Sequence, residues 1–308
     1  MVNELNDSFF YLQIKYTCYN MWLVVIKMRK SEFAEAVIAC EEELKDNKTE
    51  YKNKYTESER QEIYKLCRKL SRIVVPNNTT KIIVNDKELR SNFLKSITIF
   101  NSSFILDYFE YRTRSIRLIR DSRCLTSSDI ELRYNIFKNK PKNMKIILPN
   151  KTLTLDDQIG YAHEIGHIPE IVRPRKNYLE YAEVLPMFME YITTLGMLDD
   201  SKEAFSYFLR ERLKNEQSAA RDIMRIYKRI ETNDTIIQKY FKQLFIDTYS
   251  FIESLDFCLN LINHMNYNPK EISKEIEAVI KGQSLIRTAE NLEIVTDGCK
   301  TLENIIRN

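Results

Sequence analysis

The chain has three histidines, and two of them fall in one short stretch, IGYAHEIGHIPE, residues 159–170. His163 and His167 stand four residues apart, with Glu164 directly after the first. On a helix, positions i and i+4 lie one turn apart on the same face, so both imidazoles can address one metal ion. Glu164 then projects beside that ion, where its carboxylate can take a proton from bound water. His-Glu-x-x-His on a helix is the zinc-hydrolase signature. Zinc lowers the pKa of its water from about 15.7 to 7. The neighbouring glutamate completes the deprotonation and passes the proton to the leaving amine. The bland alternative is a pair of structural histidines that happens to spell the motif. Against it, a histidine-poor chain places two of its three there, on a segment that starts like a helix.

A hydrolytic zinc site takes three protein ligands and leaves the fourth position to water, so one zinc ion per chain needs one more ligand. No third histidine follows closely, which points to a carboxylate downstream. The candidates are Glu170, Glu180, Glu183 and Glu190. Glu170 stands too near the helix end to fold back easily. Glu183 and Glu190 are seven apart and share one helical face. One of the two could ligate while the other holds a histidine from behind. Most glutamates are solvated surface groups. The segment YLEYAEVLPMFMEYI is largely apolar, however, and a carboxylate among core positions needs a partner.

These residues need elements to position them. Thr154 followed by Asp157 is a capping-box-like start, and it predicts a helix from Leu155 to His167. Pro169 is expected to stop that helix, because residue 168 is pushed out of the α region. VRPRKN, residues 172–177, reads as a loop, and a second helix follows from Tyr178 to Met197 with Pro186 inside it. Gly166 costs helix stability but leaves room for another element to pack closely on the histidine helix. MKIILP, residues 144–149, reads as a strand beside that helix, where an edge strand could hold a peptide by strand addition. Residues 73–86 suggest a short hairpin around Pro-Asn-Asn, and helical patterns cover 31–72 and 87–122. From 201 to 308 the pattern is helical, broken at Asn233-Asp234, Asn268-Pro269 and Gly282.

Composition agrees with a mainly helical fold. Among 308 residues there are only 5 glycines and 7 prolines, too few for a turn-rich all-β architecture. The 47 basic and 44 acidic residues nearly balance, which gives no footprint for nucleic acid or membrane. The apolar run 9–28 is interrupted by Gln13, Lys15 and Asn20 and is followed, not preceded, by a basic cluster. It reads as a buried amphipathic helix rather than a signal or an anchor. The six cysteines form no CxxC pair and are widely spaced, as expected of reduced thiols in a cytoplasmic protein. His264 sits near a helix end and reads as structural.

AHEIGH followed by AEVLPMFME, residues 182–190, resembles the M3 family of zinc metallopeptidases, the thimet and oligoendopeptidase F-like enzymes. Ala182, Glu183, Val184, Phe188 and Glu190 stand in the register of that family's second helix. TYSFIESLDFCLNLI (248–262) and IKGQSLIRTAENLEI (280–294) match its C-terminal segments loosely. The resemblance implies a mainly α, zincin-like (gluzincin) peptidase with a few short strands beside the HExxH helix. It implies His163, His167 and Glu183 as zinc ligands, Glu190 and Glu180 as acids behind them, and Glu164 as general base. The family also uses a histidine and tyrosines at the oxyanion. No histidine lies between His167 and His264, so Tyr249 and Tyr240 carry that expectation, with Gln243 in the same neighbourhood. Residues 1–140 would form one wall of a peptide channel and 141–308 the zinc-binding catalytic region. The substrate class implied is short unfolded peptides. A second resemblance is to ImmA/IrrE-like regulatory zinc proteases, in which Glu180 would be the third ligand. A third reading is a helical protein that keeps zinc for stability alone.

Overall fold

Thr154 and Asp157 form the capping box that the sequence suggests. Asp157 Oδ2 accepts from the Thr154 backbone N–H at 2.9 Å, and the Thr154 side chain caps the N3 amide in return. That start launches α4 (Leu155–Gly166), the helix that carries the histidine motif. The computed structural model describes residues 55–77, 82–137, 140–173, 181–198, 200–230, 235–294 and 297–307. Within them the fold is mainly helical with a few short strands. The expectations for 9–28, for the first helical pattern after residue 31, and for the Asn233-Asp234 break lie outside the described residues.

The order along the chain begins with α1 (Glu57–Leu70), β1 (Ile83–Val84), α2 (Leu89–Ser96), α3 (Ser103–Arg114) and β2 (Arg117–Asp121). Then come β3 (Glu131–Phe137), β4 (Lys140–Pro149), β5 (Leu153–Thr154), α4 and the short α5 (Ile168–Val172). The remainder is α6 (Val184–Leu198), α7 (Ser201–Ile230), α8 (Thr235–Tyr267), α9 (Pro269–Lys281), α10 (Leu285–Asn291) and α11 (Lys300–Arg307). Residues 61–224 and 247–308 form one compact unit, which holds the whole histidine site. Of the described residues, 55–60, 225–230 and 235–246 belong to a second unit. In it, Tyr227 donates to Glu57 Oε1 at 2.9 Å, and Phe245 packs against Tyr55.

Several expectations need correction. Residues 73–77 are not a strand, and among the described residues of 73–86 only Ile83–Val84 is one; it pairs antiparallel with Leu153–Thr154 just ahead of α4 instead of closing a local hairpin. The helical pattern over 87–122 ends at Arg114, and Arg117–Asp121 is a strand. Nothing in the local pattern Arg-Leu-Ile-Arg-Asp alternates as a strand would, and pairing with β4 decides the matter. The strand at 144–149 is the central member of a three-stranded sheet of order β2-β4-β3. β2 runs parallel and β3 antiparallel to it, so the edge nearest the motif is β3. The sheet therefore runs across the boundary drawn at residues 140 and 141. The histidine helix ends at Gly166 with His167 as its cap, within a residue of the expected end, but Ile168 is helical and Pro169 is not what stops it. That proline occupies the first turn of α5, where its missing N–H costs nothing. The second helix starts at Val184 rather than Tyr178, with Pro186 in its first turn.

The C-terminal breaks fall where expected. Asn268-Pro269 separates α8 from α9, and Gly282 closes α9 in the left-handed region at φ 115°. Cys67, Cys124, Cys258 and Cys299 are free and buried. Among the described residues, no helix is long and apolar enough to cross a membrane.

Candidate metal centre

The histidine helix is gripped from two sides. On one side α4 meets α6 at the closest possible range. A Cβ added at Gly166 would stand 2.5 Å from Pro186 Cα, so only glycine permits this approach. On the other side, a Cβ at Gly160 would meet Ser127 O at 2.9 Å, just ahead of β3. Leu155 and Ile159 bury the inward face of α4 against Tyr207 of α7. Phe93 of α2 meets Tyr161 edge to face with ring centroids 6.4 Å apart.

Close packing of α4 on α6 brings the downstream acids to the histidines. His163 Nε2 and His167 Nε2 are 3.2 Å apart. Glu183 Oε2 lies 3.3 Å from His163 Nε2 and 3.6 Å from His167 Nε2. A tetrahedral ion with bonds near 2.0 Å sets its ligand atoms about 3.3 Å apart. The three atoms thus outline one face of such a coordination shell. Their side chains are 19, 18 and 11% exposed, so the face opens to one side instead of being sealed in the core.

Glu183 sits in the turn that leads into α6. Its carbonyl accepts from Met187 N at 2.9 Å, and Tyr181 two residues earlier takes φ 65°. A left-handed tyrosine is uncommon. Its ring packs edge to face on Phe257 at 5.2 Å, which anchors the turn. Glu190, one helical repeat further on, points at the back of the site. Its Oε1 lies 2.6 Å from His163 Nδ1, which leaves Nε2 facing Glu183 and His167.

Glu164 Oε2 accepts the backbone N–H of Leu132 on β3 at 2.8 Å. One ligand atom from each of His163, Glu164 and His167 also fits within 4.8 Å of one another, so Glu164 could itself touch an ion. Glu183 Oε2 stands within 3.6 Å of both Nε2 atoms, while Glu164 is held by the strand edge. Burial pushes the Glu164 carboxyl up to about 7, against the opposing pull of His163 and the Leu132 amide. For His163, burial pulls the pKa down. The hydrogen bonds and charges of Glu183 and Glu190 outweigh it and raise the ring to about 10.

Of the other sequence candidates, Glu170 is buried on α5. Glu180 lies outside the described residues. Tyr249 is 3% exposed, with its hydroxyl 3.1 Å from Cys299 Sγ, a core placement. Tyr240 is on α8, with its side chain outside the described residues. Gln243 is on the same helix and partly buried. His264 pairs with Glu271 at 2.9 Å across the α8–α9 corner, a structural role. Sequence reasoning missed Arg212 and Glu216 of α7. Arg212 Nε lies 3.0 Å from Glu190 Oε2, and buried Glu216 feels Arg212, Glu183, Glu190 and His163. Both belong to the charged run RERLKNEQ, which reads like a solvated helix face. No family model matches the chain, and no curated protein or solved structure matches it.

Proposed function

We propose that this chain is a zinc-dependent endopeptidase of the zincin type that hydrolyses short unfolded peptides. The observation that carries the reading is the triangle of His163 Nε2, His167 Nε2 and Glu183 Oε2 with Glu164 beside it. When bound, zinc supplies an acidic water and polarises the carbonyl to be attacked. Glu164 accepts the proton of the attacking water and delivers it to the leaving amine nitrogen. A carboxyl that burial tunes to about 7 suits both halves of that task near neutral pH. Glu190 fixes the His163 ring from behind. The outer edge of β3, which already presents the Leu132 N–H to Glu164, suits an extended peptide added as a further strand.

The register AEVxxxFxE supports the M3-type form of this reading, because Glu183 is the acid at the histidines. The ImmA/IrrE-like form needs Glu180 in that position. Tyr249 and Tyr240 are the oxyanion donors by resemblance. Tyr249 would have to release Cys299 to act. Buried free thiols suit a reducing compartment, so we place the reaction in the cytoplasm.

The test is digestion of a mixed pool of short unstructured peptides, read by mass spectrometry. Internal cleavages should vanish with a chelator. They should slow by about 10²–10⁴ in Glu164→Gln, the usual contribution of a positioned general base. No cleavage by a zinc-loaded wild type would overturn the general peptidase reading and favour zinc held for stability alone.

A further inference from the structure

Behind His163 lies a line of buried charge that the hydrolytic steps leave unused. His163 Nδ1 meets Glu190 Oε1 at 2.6 Å, and Glu190 Oε2 meets Arg212 Nε at 3.0 Å. The Glu190 side chain is 2% exposed and that of Arg212 14%, so water screens the pair little. Glu216, one turn along α7 from Arg212, is buried as well. Glu216 in turn feels the charges of Arg212, Glu183 and Glu190. The Nε–H is not aligned for a hydrogen bond to any acceptor, so its hold on Glu190 is mainly electrostatic. A buried carboxylate shared between an imidazole and a guanidinium has its two oxygens assigned. One oxygen faces the ring and the other faces the cation.

Resting on the zinc reading, we propose that Arg212 is a positioning residue of the metal centre. It anchors the Glu190 carboxylate, so that the free oxygen holds the His163 ring with Nδ1 turned inward and Nε2 presented to the ion. Partners one shell behind a metal ligand typically change affinity by about 10–100-fold when removed. Arg212 reaches His163 only through Glu190, which gives the proposal a specific signature. Its removal should matter when Glu190 is a carboxylate and not when Glu190 is an amide.

The experiment measures zinc affinity by competition with a chromogenic chelator and the visible absorption of the cobalt(II)-substituted protein. The set is wild type, Arg212→Met, Arg212→Lys, Glu190→Gln and the double variant Glu190→Gln/Arg212→Met. We expect Arg212→Met to weaken zinc binding by about 10–100-fold and to shift the cobalt bands. Arg212→Lys, which keeps a cation one bond from the Nε position, should recover most of the loss. In the Glu190→Gln background, removing Arg212 should leave affinity within about twofold. Wild-type affinity and cobalt spectrum in Arg212→Met would overturn the proposal. So would an equal loss from Arg212→Met in both backgrounds. If Arg212→Met does not fold, the double variant, which leaves no ion of this pair uncompensated, decides. Affinity equal to Glu190→Gln supports the proposal, and a further tenfold loss overturns it. A folded wild type that binds neither zinc nor cobalt overturns the metal reading and this inference together.

Discussion

At the residue scale, the site is a set of acids and imidazoles whose charges suit one another when a positive charge, a proton or a metal ion, is shared among them. Glu183, Glu190 and Glu164 converge on two imidazoles, and without an ion the protein satisfies them by protonating His163, which titrates near 10. The sign follows directly. The raised value stabilises the metal-free protein below the ordinary histidine pKa, and that stabilisation is lost as pH rises through 10. Zinc needs the same nitrogen unprotonated, so binding must expel the proton. Apparent zinc affinity should therefore rise with pH between about 7 and 9, by up to tenfold per unit, with about one proton released per ion from His163. Calorimetry in buffers of different ionisation enthalpy measures that proton directly. Affinity that is flat over this range would show that His163 is not protonated in the metal-free state. The motif residues were legible because spacing on a helix is a local rule. Glu183 and Glu190 were legible as acids stranded in an apolar helix. Arg212 and Glu216 were not, because a buried charge pair on a long polar helix has no local pattern of its own.

At the element scale, the fit of α4 on α6 makes the site. Gly166 lets Pro186 approach, and Pro186 stands three residues after Glu183, so the same contact that joins the helices brings Glu183 to the histidines. Gly166→Ala tests this. Alanine favours an isolated helix by about 1 kcal/mol. Here its Cβ meets backbone at 2.5 Å, and relieving such overpacking costs about 1–3 kcal/mol. The variant should lose stability in chemical denaturation and lose zinc affinity with it, because α6 must move and Glu183 moves with it. Unchanged stability and affinity would show that the α4–α6 contact is not what sets the ligand. The capping box, the Asn268-Pro269 break and the Gly282 cap were readable because each is written in adjacent residues. The start of α6 was misplaced because the turn at Tyr181–Glu183 depends on the Tyr181 ring finding Phe257, far along the chain.

At the scale of the whole molecule, the helical class was legible in the scarcity of glycine and proline, and the sheet was not. SIRLIR reads as a continuation of helix in isolation, and only its pairing with Lys145–Pro149 makes it a strand. The strand beside the motif was placed at 144–149, whereas that strand is central and the edge that touches the motif belongs to β3. This matters for the proposed function, since the Leu132 amide of β3 holds Glu164, the proposed general base. The compact unit that carries the site draws on residues 61–224 and 247–308, so the elements that build the centre come from both sides of the boundary drawn at residue 140.

In the proposed centre, His163, His167 and Glu183 together hold one zinc ion while Glu164 stands beside it. The most direct measurement is metal content per folded chain after loading with zinc and removal of excess. Wild type and Glu164→Gln should each hold one equivalent, and Glu183→Ala should hold far less. Full zinc in Glu183→Ala with loss in Glu164→Gln would overturn this ligand set and make Glu164 the third ligand. That result would leave the centre without its base.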